Sequence, residues 1–201
     1  MERRTYYRSS AELIRDALDD CEQAYSDILK LGINPHNIVL LGDSAGGNLV
    51  FGLLQRIAKR NLEMPCCVIP ISPVTELSRI HGLPSRAQRR HSDPLLPISA
   101  FASLAESYLG GQDTSNPEIS PLYMDCTGLP PMQFFVSDNE VLRDDTVYMA
   151  KRCHAAGVLT ECHLWSTLPH AFPLFGSMFS EVGDAHDEMI AFATKHLTGI
   201  I

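Results

Sequence analysis

The pentapeptide Gly42-Asp43-Ser44-Ala45-Gly46 constrains this chain more than any other stretch. It joins two segments of different period. Ile38 to Leu41 is a short apolar run rich in β-branched residues, the pattern of a strand buried on both faces. Leu49, Val50, Leu53, Leu54, Ile57 and Ala58 then fall on one stripe of a helix. A strand that turns at once into a helix is expected to hold the central Ser in a strained conformation with its hydroxyl exposed. The glycines on either side are expected where the two backbones pass too close for a Cβ. The amide of Ala45 then lies at a helix N-terminus, where aligned peptide dipoles favour negative charge, and is a candidate oxyanion donor.

The remaining periodicities place strands and helices in alternation around that turn. Over residues 11–31, Ile14, Leu18, Cys21, Tyr25 and Ile28 recur at spacings of four and three, and Gly32 with Pro35 ends the helix. Cys66 to Ser72 is a second strand, in which Pro70 is expected to mark an edge, a bulge or an early end. Residues 73–118, rich in turn signals, form an excursion with one predicted helix, Ile98 to Leu109. Met132 to Val136 is a third strand. Asp144-Asp145 opens a helix that runs to Ala156 and stops at Gly157. Thr160 to Trp165 is a fourth strand, and Ser180 to Leu197 is the last helix. This order predicts an α/β fold, a mostly parallel sheet with helices on both faces. Such sheets place their chemistry at the carboxyl ends of strands, where Ser44 lies.

Composition narrows the class. The 201 residues are 45% hydrophobic and 20% charged, enough for one domain with a substantial core. A net charge of −8 disfavours nucleic acid or an anionic membrane as partner. No apolar run approaches membrane-spanning length, and the charged first eight residues lead into no apolar segment of a secretory signal. The six cysteines form no Cys-x-x-Cys, so a reduced, cytoplasmic chain is expected. His and Cys lack metal-ligand spacing, and neither metal nor cofactor is expected.

A serine hydroxyl is a poor nucleophile until a base takes its proton and a third group fixes that base's tautomer. In a sheet of this kind the chain order is Ser, acid, His. His170, in the loop after the last strand, is the candidate base. His163 and His154 lie within a predicted strand and helix, and His186 and His196 lie on the last helix. The acid should follow the third strand. Asp144 and Asp145 are explained as helix N-terminal acids, which leaves Asp138 and Glu140 unseparated by composition or spacing.

With these residues in place, the chain resembles the hormone-sensitive-lipase-like carboxylesterases of the α/β-hydrolase fold. Gly42-Asp43-Ser44-Ala45-Gly46-Gly47-Asn48-Leu49 matches that family's nucleophile motif. Ser120-Pro121-Leu122-Tyr123, Gly128-Leu129-Pro130-Pro131 and Glu140-Val141-Leu142-Arg143-Asp144 match the segments around its acid, and Tyr7-Arg8 with Glu12 resembles its N-terminal motif. The likeness runs from about residue 6 to the end. It implies Glu140 as the acid, where the family more often has Asp, with Asp138 as fallback. It implies small ester substrates and a Ser44–His170–Glu140 triad working through an acyl-enzyme.

The family's His-Gly-Gly motif, whose amides build most of its oxyanion hole, is not found in the 43 residues before Ser44; His81-Gly82-Leu83 lies on the wrong side of the nucleophile. The resemblance therefore implies one α/β-hydrolase catalytic domain over 1–201, shortened on its N-terminal side, with a lid-like excursion at about 73–118. It leaves the first strand with an open apolar edge, through which a short form would form a homodimer, swap or aggregate, unless the sequence is a fragment of a longer enzyme. A weak or inactive fragment that binds a ligand or partner is the alternative to an esterase. Within the excursion, Arg86, Arg89 and Arg90 are expected to form a solvated surface. Leu142 and Phe172, beside the proposed acid and base, are candidates for the wall of an acyl pocket or for plain core.

Overall fold

The computed structural model describes residues 10–78, 83–99 and 113–197. Among these, strands Val39–Asp43 (β1), Cys67–Ile71 (β2), Met132–Ser137 (β3) and Thr160–Trp165 (β4) form one sheet in the order β1-β2-β3-β4, each neighbouring pair parallel. Helices Ser10–Lys30 (α1), Ser44–Lys59 (α2), Pro84–Gln88 (α3), Arg143–Ala155 (α4) and Glu181–His196 (α5) accompany it. The expected elements recur within one or two residues, except that α2 starts at Ser44 itself, ahead of its apolar stripe. All but the first two residues of the helix expected at 98–109 lie outside the described residues, as do Tyr7, Arg8, His81 and Gly82.

Alternation along the central strands sorts side chains to two faces. Val68, Met132 and Phe134 pack beneath Phe51 and Leu54 of α2 and Met149 and Cys153 of α4. Cys67, Ile69, Ile71 and Phe135 point the other way and meet Val182, Ala185, Met189 and Phe192 of α5. Both faces of the sheet are thus covered, as a parallel sheet requires. Helix α1 lies over α2, with Tyr25 packed among Ile38, Leu53 and Ile57 and its hydroxyl donating to the Glu63 carbonyl at 2.7 Å.

Two expectations are corrected. Pro70 marks neither an edge nor an end: it sits in the interior strand β2, paired in register with Gly42. Its missing N–H falls on the β3 side, between the Val68 N–H to Pro131 O bond and the Ser72 N–H to Phe135 O bond. One rung is lost and the flanking rungs hold the register. Arg86, expected on a solvated surface, is fully buried; Arg90 alone of the three is exposed. The Arg86 guanidinium pairs with Asp145 at the start of α4, 2.6 Å from Nη2 to Oδ1, and donates to the Glu76 carbonyl at 2.6 Å. Asp145 also accepts the N–H groups of Thr75 and Glu76, so the buried carboxylate is held by backbone hydrogen bonds as well as by the guanidinium. It ties α3 and the segment after β2 to the base of α4. Asp144 and Asp145 do open the helix, but their carboxylates reach Ser85 and Arg86 rather than capping it.

The sheet has two unequal edges. β4 ends one side. On the other, β1 has β2 as its only strand partner among the described residues, and Leu41 is 52% exposed. A groove of about 430 Å³ runs along this open edge between α1 and α2, lined by Tyr25, Ile28, Val39, Leu41 and Leu49.

Candidate active site

Ser44 is the first residue of α2 and follows β1 without a loop. Its φ of +52° lies in the left-handed region that a residue with a Cβ seldom adopts. The turn survives because its surroundings leave no alternative. A Cβ at Gly42 would stand 2.5 Å from the Gly46 carbonyl oxygen, and one at Gly47 would stand 2.6 Å from Pro73 Cβ. At Gly46 the nearest atom would be 3.9 Å away, so the close approaches fall on Gly42 and Gly47, not on the second glycine of the pentapeptide. The Ser44 carbonyl accepts the N–H of Val74 at 3.0 Å. Ala45 is exposed at the N-terminal turn of α2.

The other candidates gather at the carboxyl ends of the neighbouring strands. The Glu140 carboxylate, wholly buried, has Oε2 2.6 Å from His170 Nδ1. Its Oε1 accepts the Ser72 hydroxyl at 2.7 Å and the Ser137 N–H at 3.1 Å. Asp138 is separated from this cluster in role: its Oδ1 accepts the Thr167 N–H at 3.0 Å and pins the loop that leads to His170. The two acids left open by the sequence are thereby distinguished. Burial pushes the His170 pKa down, but the hydrogen bond and charge of Glu140 outweigh it. With Asp93 and Asp43 adding, the imidazole is raised above its ordinary 6.5. Ser44, Glu140 and His170 all follow the carboxyl ends of parallel strands, β1, β3 and β4 in turn. No hydrogen bond joins Ser44 to His170 among the described residues.

Leu142 and Phe172 are both fully buried. Leu142 packs with Val74, Leu77, Ile119 and Val141, and Phe172 meets Trp165 with ring centroids 5.5 Å apart. Both side chains therefore pack within the hydrophobic core of the described residues.

Sequence reasoning overlooked three residues of this constellation. Asn48 is fully buried, and its Nδ2 donates to Val74 O at 3.0 Å and Ile119 O at 2.9 Å, tying α2 to the excursion. Asp93 accepts the Val141 N–H at 3.0 Å beside Glu140 and caps Leu95 and Leu96. Ser72 links Glu140 to the N–H of Ala171 at 3.2 Å. A polar residue at the foot of an apolar helix was a signal for Asn48; Asp93 and Ser72 carried none, because their partners are 48 and 68 residues away in sequence.

A family model described as alpha/beta hydrolase fold matches residues 5–174. An esterase of Acinetobacter venetianus is 31% identical over 181 residues, 90% of this chain and 59% of the relative. An acetyl-hydrolase of Streptomyces hygroscopicus is 32% identical over 165 residues, 82% of this chain and 54% of the relative. The crystal structure of an esterase from the bacterial hormone-sensitive lipase family superposes with a TM-score of 0.86 at 32% identity, covering 90% of this chain and 60% of that one. The chain thus spans little more than half the length of the relatives it matches. With the parallel sheet, the strained serine turn and the family match in agreement, the chain belongs to the α/β-hydrolase family, with its likeness running to the hormone-sensitive-lipase-like esterases within it.

Proposed function

We propose that these residues form the catalytic core of a serine carboxylesterase for short-chain esters, with Ser44 as nucleophile, His170 as base and Glu140 as the acid that orients it. The observation that carries the proposal is the pairing of the buried Glu140 carboxylate with the partly exposed His170, 2.6 Å between Oε2 and Nδ1, at the carboxyl end of the sheet, the end at which Ser44 begins α2. With Nδ1–H donating to Glu140, the imidazole keeps Nε2 free to accept a proton. Nε2 takes the Ser44 proton as Oγ attacks the ester carbonyl. The carbonyl carbon's bond to the alkoxy oxygen then breaks, and His170 returns the proton to the departing alcohol. Water, deprotonated at the same Nε2, attacks the acyl-enzyme and restores Ser44.

The Ala45 N–H is the oxyanion donor these residues supply. Each missing donor costs about 10²- to 10³-fold, so turnover by this stretch alone is expected to be slow. An acetyl-hydrolase among the relatives supports small acyl groups for this chain. The 201 residues act as one catalytic domain, and their six free cysteines suit a reducing, cytoplasmic setting. No helix among the described residues is long and apolar enough to cross a membrane. The open edge of β1, with Leu41 exposed beside an apolar groove, supports pairing with a second copy of the chain.

The test is hydrolysis of p-nitrophenyl acetate and butyrate by the purified chain beside Ser44→Ala. Turnover by the wild type and none by the variant is expected. Equal inertness of the two would sink the esterase reading and favour a ligand- or partner-binding role.

A further inference from the structure

Five non-glycine residues among those described hold a positive φ, and four of them, Ser44, Ser72, Thr167 and Ala171, lie at the carboxyl end of the sheet. Such strain persists only where surrounding contacts over-determine it, and it concentrates at functional sites. Ser44 is the proposed nucleophile, and Thr167 and Ala171 flank the base. Ser72, with φ +44° and no exposed surface, has no place in the steps above.

Its position is distinctive. Ser72 immediately follows β2, between the strand that delivers Ser44 and the strand that leads to Glu140. Its hydroxyl has one proton and two lone pairs. The ionised Glu140 carboxylate can only accept, so the proton goes to Oε1, at 2.7 Å. A lone pair then receives the N–H of Ala171, next to His170, at 3.2 Å. The Ser72 N–H donates to Phe135 O at 2.8 Å. Two residues on, the Val74 N–H holds the Ser44 carbonyl, and Pro73 closes against Gly47 of the nucleophile helix. Segment 72–74 therefore touches the nucleophile turn, the acid and the base loop.

We propose that Ser72 is a positioning residue for the triad, its hydroxyl locking Glu140 and the backbone of the His170 loop into one unit. The proposal rests on the esterase reading for its kinetic consequence, but not for its structural one. A carboxylate held by Ser72 and the Ser137 N–H presents Oε2 to Nδ1 in a single orientation; without the hydroxyl, Oε1 keeps one donor and Ala171 loses its acceptor.

The experiment compares Ser72→Ala, Ser72→Gly and Ser72→Thr in the same chain. Proton NMR follows the strongly hydrogen-bonded Nδ1–H of His170, and circular dichroism checks folding. Alanine and glycine both remove the hydroxyl, while glycine also relieves the positive φ, and threonine keeps the hydroxyl. The downfield His170 signal is expected to weaken or vanish in Ser72→Ala and Ser72→Gly and to persist in Ser72→Thr. Where the wild type hydrolyses esters, kcat is expected to fall about 10²-fold in the first two with KM unchanged, since small misplacements of a reacting group cost that much. Ser72→Thr is expected to stay within a few-fold of wild type. An unchanged His170 signal in folded Ser72→Ala or Ser72→Gly overturns the proposal, as does undiminished kcat. Loss of signal equally in Ser72→Thr also overturns it, assigning the effect to the backbone. An inert wild type whose His170 signal nonetheless responds as expected defeats the esterase reading and leaves the positioning role standing.

Discussion

The two halves of the candidate site are held in different ways. On the acid–base side, Glu140 takes three donors from three strand ends, and the adjacent Val141 N–H is held by Asp93. Beneath lies the buried Arg86–Asp145 pair. On the nucleophile side, β1 has a strand partner on one flank, Ala45 and Leu41 are exposed, and the Ser44 hydroxyl has not closed onto His170. The conformation of Ser44 is local, dictated by the tight strand-to-helix turn and the absence of side chains at Gly42 and Gly47. The orientation of His170 is tertiary, dictated by groups that the sequence scatters across nearly a hundred residues.

Removing a single hydrogen-bond partner on the tertiary side should give the largest effect. Glu140→Gln keeps the shape but loses the charge and the preference for the Nδ1–H tautomer, and kcat should fall about 10⁴-fold, as it does when a triad carboxylate is neutralised in a serine protease. The same variant has a signed pH consequence. On the esterase reading His170 must lose its proton to act, and its pKa is raised, so kcat/KM should climb with pH to a midpoint above 6.5. Without the Glu140 charge, the downward push of burial gains weight and the midpoint of any residual activity should move toward lower pH. Because the folded pKa is raised, the pairing stabilises the fold below about 6.5, and that contribution fades as pH rises through the folded value. A midpoint in Glu140→Gln at or above that of wild type would contradict this electrostatic account.

Next in size is the buried ion pair. Arg86→Met strands Asp145 without its guanidinium and should cost about 3–5 kcal/mol in urea unfolding; a cost below about 1 kcal/mol would show the pair to be dispensable. On the local side, Gly42→Ala drives a methyl against the Gly46 carbonyl at 2.5 Å, and overpacking of this kind costs about 1–3 kcal/mol. Gly46→Ala, with 3.9 Å of clearance, should cost less, and a reversed order would mean that the turn is built differently. The smallest effect on monomer stability is expected from Leu41→Lys, within about 0.5 kcal/mol because the side chain is exposed. Sedimentation should nonetheless show the wild type self-associating and the variant monomeric, since a charge blunts an open strand edge. Identical sedimentation of the two would remove β1 as an interface.

Much of this was legible along the chain because it depends on neighbours in sequence. Hydrophobic period located the four strands and helices α1, α2, α4 and α5, though not the short α3, and the glycine pattern located the serine turn and its strain. Loop placement singled out His170 among the histidines of the C-terminal half. What failed did so for one reason. Pro70 reads as a strand breaker, yet β2 keeps its interior place because the rungs on either side of the missing N–H survive. Arg86 reads as a surface cation, yet it is buried because Asp145, 59 residues away, compensates its charge.

By itself the sequence determined the alternation of strands and helices, the sharp turn that starts α2 at Ser44, and the short set of candidates for acid and base. Periodicity and backbone sterics operate over a few residues, and those features need nothing more. The tertiary structure decided that Glu140 rather than Asp138 meets His170, that Ser72 and Asp93 hold the acid loop, and that Arg86 is buried. Each of these depends on which strand ends lie side by side, and strand pairing is set by burying the two faces of the sheet, a property of the whole chain that no local window contains.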